Sequence, residues 1–216
     1  MLDAFLLGLA AQSSLLIAGL FAVWVNVPAR IVGLLGGFGS GALIAAVSFD
    51  LIDEAAELDN IELAVWMLFG AALFIGGDYV VERRFGSEGQ GGAMGIVVGS
   101  VVDGVPESII FGIQVATGYP ISASFLGSVW VSNIPQSIAP SADLAAGGWT
   151  ARRLGTLWGA VVVAAGAAAA IGYLAASNLA VADGDRMAAL AAGGVLAMLT
   201  TSLMPFSQER GGSLAG

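Results

Sequence analysis

The residues best suited to chemistry in this chain are acids and amides that lie inside apolar segments. Residues 101–108 read Val-Val-Asp-Gly-Val-Pro-Glu-Ser, and residues 131–137 read Val-Ser-Asn-Ile-Pro-Gln-Ser. On a helix Asp103 and Glu107, four residues apart, project from one face, and Asn133 and Gln136, three apart, share a face as well. Their carboxylate and amide oxygens are donors that suit hard divalent cations.

Carboxylates in the middle of a bilayer need compensation. Placing one acid at the centre of a transmembrane helix costs roughly 2.5–3.5 kcal/mol on insertion scales. The apolar segments that carry Asp103 and Glu107 contain neither Lys nor Arg. The compensating charge is therefore a bound cation or protons, and the alternative is a protonated carboxyl that is hydrogen-bonded within a packed bundle.

Pro106 and Pro135 add backbone oxygens to the same two segments. A proline inside a helix removes the hydrogen bond to the carbonyl four residues back, which frees the carbonyls of Val102 and Val131. Freed carbonyls within a membrane are tolerated where they line protein or a water-filled cavity. Broken helices of this kind build ion sites in transporters, whereas a lone transmembrane proline is more often a simple kink.

The elements that position these residues are predicted to be membrane-spanning helices. Hydrophobic residues make up 57% of the 216-residue chain and charged residues only 11%, about half the charged fraction of a soluble domain. Because crossing the hydrocarbon takes about 20 apolar residues, the uncharged blocks predict an all-α polytopic bundle forming one transmembrane domain, residues 1–216. The seven predicted spans are 3–25, 31–52, 62–81, 93–115, 121–143, 154–176 and 187–205. In the second span, Gly33, Gly37 and Gly41 are predicted to form one packing face.

The distribution of charge predicts the orientation. The chain has no Lys, and of its seven Arg only Arg186 lies on the side opposite the other six. The excess places that side in the cytoplasm and the N-terminus outside. Residues 53–62 make the outer side acidic, which either concentrates cations there or is simply a solvated loop. The chain contains no Cys and no His, so thiolate and imidazole ligands are excluded.

These motifs resemble those of the ZIP (Zrt/Irt-like) metal-ion transporters, nearer the short prokaryotic members. The segments 103–108 and 132–137 are similar to the family's His-Asn-x-Pro-Glu-Gly motif in span four and its counterpart in span five. The end of span two, 50–54, resembles Leu-His-Leu-Leu-Pro-Glu with Asp50 in place of His. Residues 196–205 are similar to Leu-Ala-Met-Leu-Ala-Asp-Thr-Met-Met-Pro near the end of the family's sequence. The resemblance covers almost the whole chain.

The resemblance implies a metal site between spans four and five, with help from span two. Asp103 takes the place of the histidine ligand and Glu107 that of the bridging glutamate. The other implied metal ligands are Asn133, Gln136, Ser132 and Asp50. The chain departs from the pattern at Gln136, which is neutral where Glu is common, and at Thr201 and Phe206, which replace Asp and Glu. The usual eighth span is not found before Gly216.

The expected function is transport of a divalent cation of the zinc, iron or manganese type by alternating access. The metal is then the cargo, and no separate cofactor is expected. The expected partners are divalent metal ions and the lipid bilayer of a prokaryotic plasma membrane, with a homodimer as an open alternative and no nucleic acid. A second hypothesis is a ZIP-like protein that binds metal or partners without transporting. A third is an intramembrane hydrolase with Asp50 and Asp103 as an acid pair, but the chain has no recognisable catalytic motif, so it is not expected to be an enzyme.

Overall fold

The computed structural model describes residues 1–25, 27–85, 93–118, 120–178 and 184–213, and in this part of the chain every element is helical. The side chains of several residues in the third and fourth helices, including Asp103 and Pro106, lie outside the described set. The helices are α1 (Leu2–Phe21), α2 (Ala29–Glu54), α3 (Asn60–Phe85), α4 (Ala93–Thr117), α5 (Ala123–Ala146), α6 (Ala151–Asn178) and α7 (Gly184–Gly211). The prediction of an all-α bundle is confirmed for these residues, and each predicted span overlaps one helix.

Five of these helical segments are long and apolar enough to cross a membrane, which indicates an integral membrane protein. They are Leu2–Phe21, Ala29–Glu54, Asn60–Gly77, Ala151–Asn178 and Asp185–Gly211. Helices α4 and α5 are not among them, although each has the length that a span needs. Seven membrane crossings therefore stay a prediction, whereas the helical bundle itself is observed.

Helix α5 has a lower mean hydropathy because it contains many polar residues, and six of these are buried. It packs against α1, α2 and α4, so its polar positions face protein. The buried polar residues of α5 are Ser128, Ser132, Asn133, Gln136, Ser137 and Ser141. These polar residues are compatible with a membrane because the neighbouring helices separate them from lipid.

Glycines bring two helix pairs into backbone contact. A Cβ added at Gly112 of α4 would meet the carbonyl oxygen of Ala169 in α6, and one added at Gly172 would meet that of Ile109. A second reciprocal pair joins α3 and α7, where Gly70 faces Leu190 and Gly193 faces Met67. Close approach through small residues is how transmembrane helices associate without a hydrophobic driving force.

In α2, the structure corrects the predicted glycine face. The glycines that face neighbours are Gly33, Gly36 and Gly39, which meet Gly211, Ser207 and Ser132 respectively, whereas a Cβ at Gly41 would meet open space. Spacings of three and four residues both keep side chains on roughly one face of a helix. The four-residue spacing alone therefore wrongly included Gly41 in this contact face.

The irregular backbone of the bundle lies in α2 and α7. Helix α5 continues through Pro135 and Pro140 without interruption, so the proline there does not break the helix. Instead, α2 contains a π-helical turn at Val47–Leu51, and α7 contains one at Leu199–Leu203. The first and last residues of both turns are buried in the same apolar cluster. Such π-turns inside α-helices occur frequently at functional sites.

Candidate metal centre

A chain of side-chain hydrogen bonds links three helices at the middle of the bundle. The Nε2 of Gln12 in α1 donates to Oε2 of Glu107 in α4 over 3.0 Å. The Nδ2 of Asn133 in α5 donates to Oε1 of the same Gln12 over 2.8 Å. All three residues are at most 2% exposed. One amide of α1 therefore joins the two motif-bearing helices that the sequence singled out.

The positions of these residues within their helices explain why they meet. Gln12, Glu107 and Asn133 all lie near the midpoints of α1, α4 and α5. Gly104 lies one turn before Glu107, and a Cβ added there would contact the side chain of Gln12 at 3.1–3.3 Å. The missing side chain of Gly104 thus leaves room for the Gln12 amide to lie along α4 and reach Glu107.

Each hydrogen bond of this centre uses one polar atom of Glu107 or of Asn133. Asn133 uses its nitrogen toward Gln12, so its Oδ1 takes no part in this chain. Glu107 accepts through Oε2, so its Oε1 takes no part in it either. Carboxylate and amide oxygens are the atoms that bind hard cations. Glu107 and Asn133 therefore bring one carboxylate and one amide to the same Gln12 side chain.

Gln136 lies one helical turn beyond Asn133 on the same side of α5. It is 6% exposed, and its Oε1 has no hydrogen-bond partner among the described atoms. A buried oxygen left without a partner is costly, and a bound cation or water would satisfy it. The prediction that Gln136 is a ligand is compatible with this finding and stays a prediction.

Ser132 is buried but directed elsewhere. Its hydroxyl donates to the carbonyl of Val129 over 2.9 Å. A Cβ added at Gly39 in α2 would lie only 2.7 Å from the Cα of Ser132. The backbone of Ser132 therefore packs closely against α2 at Gly39. Its proposed role as a ligand gains no support from the hydroxyl's bond to its own helix.

Asp50 lies in the π-helical turn of α2, four residues before the helix ends at Glu54. It lines a groove of ≈ 460 Å³ between α2 and α5, together with Ser124 and Ser128. Ser128 donates to the carbonyl of Ala42, and Asp50 lies eight residues beyond Ala42, which corresponds to about 12 Å along the helix. Its Oδ2 is buried without a hydrogen-bond partner in the described structure. Asp50 lies in this groove, and its predicted role as a ligand stays a prediction.

The side chain of Asp103 lies outside the described residues, so its predicted role as a ligand is not assessed by geometry. Its backbone lies one helical turn before Glu107 on α4. Asp50 lies four residues before the end of α2. The acid pair required by the hydrolase hypothesis would therefore have to join residues at different depths.

Compensating charge for Glu107 is not found among the described residues. The ion pairs there join Arg186 to Glu62 and Arg210 to Asp143, and neither involves Glu107. In the same part of the chain, no group of three His, Cys, Asp or Glu side chains converges in a way that could hold a metal. A cation at Glu107 would thus rely on amide and backbone oxygens, together with any contribution from Asp103.

Sequence reasoning missed Gln12, the residue that connects the centre. A signal was present, since Gln12 is an amide in the middle of an otherwise apolar span, where an unbonded polar group is costly. The motifs consist of acids, amides and prolines in two other segments, and no motif pointed to the first span. Only the packing of α1 between α4 and α5 reveals the role of Gln12.

The comparisons with known proteins do not assign a family. No model of a known protein family matches the chain, and no curated protein matches it. The class that the fold defines is a helical bundle with the features of an integral membrane protein. The likeness to ZIP transporters rests on the motifs alone.

Proposed function

We propose that the protein is a divalent metal-cation permease of the ZIP type, with its transport site between α4 and α5. The observation that carries the proposal is the buried carboxylate of Glu107, held at mid-depth by Gln12 and without an ion-pair partner among the described residues. A buried carboxylate without a basic partner is stabilised by a bound cation or by protonation. In the proposed transport, Glu107 binds the cation in its charged form and becomes protonated when the cation leaves.

The oxygen chemistry of the centre supports a cation as the cargo. Glu107 Oε1, Asn133 Oδ1 and Gln136 Oε1 are oxygen atoms of buried side chains that the hydrogen bonds among them do not use. Oxygen donors favour hard ions such as Mn²⁺, Mg²⁺ or Fe²⁺ over Zn²⁺, which more often takes His or Cys. The proposed cargo is thus a divalent cation of the manganese, iron or zinc type, and the ion is exchanged by alternating access.

The test of this proposal is transport by the purified protein in liposomes. Mn²⁺ entry is followed by quenching of a trapped fluorophore, and Fe²⁺, Zn²⁺ and Cd²⁺ are tested as competitors. Glu107→Gln keeps the shape of the side chain and removes its charge, so we expect uptake to fall by at least about tenfold, as loss of a metal ligand or its support does.

The matched control is Glu209→Gln, the same chemical change at an exposed position near the end of α7. It should leave uptake within about twofold of the unchanged protein, since exposed charges have small effects. Full transport by Glu107→Gln liposomes would exclude the centre as the transport site. Equal losses in both variants would mean that the purified protein is misfolded or damaged, and that the loss does not arise at the site.

A second candidate function is metal or partner binding without transport, and two positions in α7 favour it. The hydroxyl of Thr201 donates to the carbonyl of Ala197, and Phe206 packs on the apolar cores while Arg210 lies over its ring. Where the ZIP pattern has Asp and Glu, this chain therefore has packing residues. Mn²⁺ binding that depends on Glu107, in liposomes that show no flux, would favour this candidate.

A further inference from the structure

The groove between α2 and α5 is large enough to hold a ligand. Its volume of ≈ 460 Å³ falls within the range of small-molecule sites. Alanine, serine and glycine residues form most of its lining, and Phe38 and Phe49 of α2 border it with rings that are 67% and 79% exposed. A Cβ added at Gly127, within the groove, would meet nothing within 4 Å. The groove is therefore mostly apolar and open to the surroundings of the bundle.

The groove extends from one end of both helices to about their middle. Asp50 lies four residues before the end of α2, and Ala123 is the first residue of α5. In the other direction the groove reaches Phe38 and Val131, which lie near the midpoints of the two helices. Phe38 and Asp50 are separated by about 18 Å along α2. Half of the hydrocarbon layer is about 15 Å thick, so the groove has about the depth of one leaflet.

The polar end of the groove carries a carboxylate that lacks a donor. The Oδ2 of Asp50 is buried without a hydrogen-bond partner among the described atoms, and a buried acceptor without a donor is costly. Ser128, which lines the same groove, donates its hydroxyl to the carbonyl of Ala42 over 3.0 Å instead. A donor that arrives through the groove would satisfy Asp50, and a positive charge on that donor would strengthen the hydrogen bond.

The charges of the chain favour a lipid over a second copy of the protein as the source of this donor. The sequence has no Lys, and six of its seven Arg belong to the opposite side in the predicted topology. The seventh, Arg186, is already paired with Glu62 over 2.7 Å. A lipid offers both parts that the groove needs, because its acyl chain suits the apolar walls and its head group lies at the level where the helices end.

We propose that the groove binds one phospholipid with a phosphoethanolamine head group. One acyl chain lies along the small residues between α2 and α5, and the ammonium group donates to the carboxylate of Asp50. A phosphocholine head group has the same net charge but no N–H to donate, so it lacks this hydrogen bond. The inference does not depend on the proposed transport function, because the lipid occupies the groove and not the centre around Glu107.

The experiment measures the binding of single lipids to the purified full-length protein by native mass spectrometry. Phosphatidylethanolamine and phosphatidylcholine with identical acyl chains are compared. The unchanged protein should prefer the ethanolamine lipid by about tenfold, the effect of one hydrogen bond to a charged group. Asp50→Leu should reduce this preference to less than about twofold, because the acceptor is gone. The matched control is Asp53→Leu, the same exchange at an exposed position three residues further along, which should keep the preference.

A second pair of variants tests the groove itself. Gly127→Leu places a side chain in the open groove, and Gly159→Leu places the same side chain in open space on α6. Gly127→Leu should weaken the binding of both lipids by at least about tenfold, because the acyl chain loses its buried surface. Gly159→Leu should leave binding within about twofold of the unchanged protein. Elution volume and thermal unfolding of each variant show that it is folded.

Three results would overturn the inference. The first is equal binding of the two lipids by the unchanged protein, and the second is equal lipid binding by Gly127→Leu and Gly159→Leu. The third is loss of protein dimers in Gly127→Leu with lipid binding intact, because a second copy then occupies the groove. Glu107→Gln, which tests the transport site, should bind both lipids like the unchanged protein, so the lipid site and the transport site can fail separately.

Discussion

At the scale of single residues, the amide of Gln12 determines how Glu107 is held. An amide can donate and accept at once, and Gln12 does both, toward Glu107 and from Asn133. A carboxylate accepts hydrogen bonds only, so the donors point toward it, as its charged form requires. Gln12 therefore acts as a positioning residue for the two proposed ligands and does not need to touch the cation itself.

We expect Gln12→Leu to disturb the centre without removing either proposed ligand. Because Glu107 and Asn133 would each lose a buried partner, the free energy of unfolding should fall by about 1–3 kcal/mol. Loss of a group that supports metal ligands lowers affinity by about 10–100-fold, and we expect that reduction in Glu107-dependent Mn²⁺ binding. Denaturant titration and Mn²⁺ binding measure the two effects.

The control for this variant is Gln208→Leu, the same exchange at an exposed position of α7. It should change neither quantity appreciably, since surface substitutions have small effects. If Gln12→Leu lowered stability but left Glu107-dependent binding intact, Gln12 would be a purely structural residue.

The residue types of the centre could be read from the sequence only in part. Glu107 and Asn133 were identified because acids and amides beside prolines are unusual in apolar segments, and the structure places them two hydrogen bonds apart. Gln12 was not, because a lone amide in a span carries no information about which helix it faces. Asp50 was grouped with the centre by motif, and its role as a ligand stays a prediction.

At the scale of helices, apolar length predicted the elements well because it is set by the membrane itself. Contacts between helices were less predictable. The four-residue glycine spacing in α2 wrongly included Gly41. The π-turn at Val47–Leu51 has no proline beside it, whereas Pro205 follows the one at Leu199–Leu203. Both depend on which neighbouring helix supplies the opposing surface.

The glycine contact between α4 and α6 makes a prediction about stability. Gly172→Ala places a methyl group against the carbonyl of Ile109, so the two helices must separate, which typically costs about 1–3 kcal/mol. Since α4 carries Glu107, the same variant should also reduce Mn²⁺ uptake. Thermal unfolding of the purified variant measures the loss of stability.

Gly159→Ala is the matched control on the same helix. A Cβ at that position meets nothing within 4 Å, and alanine has the better helix propensity. Its stability should be equal to or slightly above that of the unchanged protein. If both variants were equally destabilised, the effect would arise from the helix itself and not from its contact with α4.

At the scale of the whole molecule, the charges divide the bundle into an acidic end and an arginine end, and this asymmetry predicts a cytoplasmic arginine end. The chain has no cysteine, so single cysteines can report its orientation. Glu57 marks the acidic end and Ser213 the arginine end, and both are exposed. In intact cells a membrane-impermeant maleimide should label Glu57→Cys and should label Ser213→Cys only after the cells are lysed. The opposite pattern would reverse the predicted topology.

In the proposed transport cycle, the amide of Gln12 also restricts which parts of the molecule can move. Sliding α1 past α4 and α5 would strain or break the hydrogen bonds from Gln12 to Glu107 and Asn133. The glycine contacts fix α6 against α4. Helices α1, α4, α5 and α6 should therefore travel as one rigid body. Exposure of the cargo to either side of the membrane is then left to the remaining helices, two of which, α2 and α7, carry a π-helical turn at which a helix can flex.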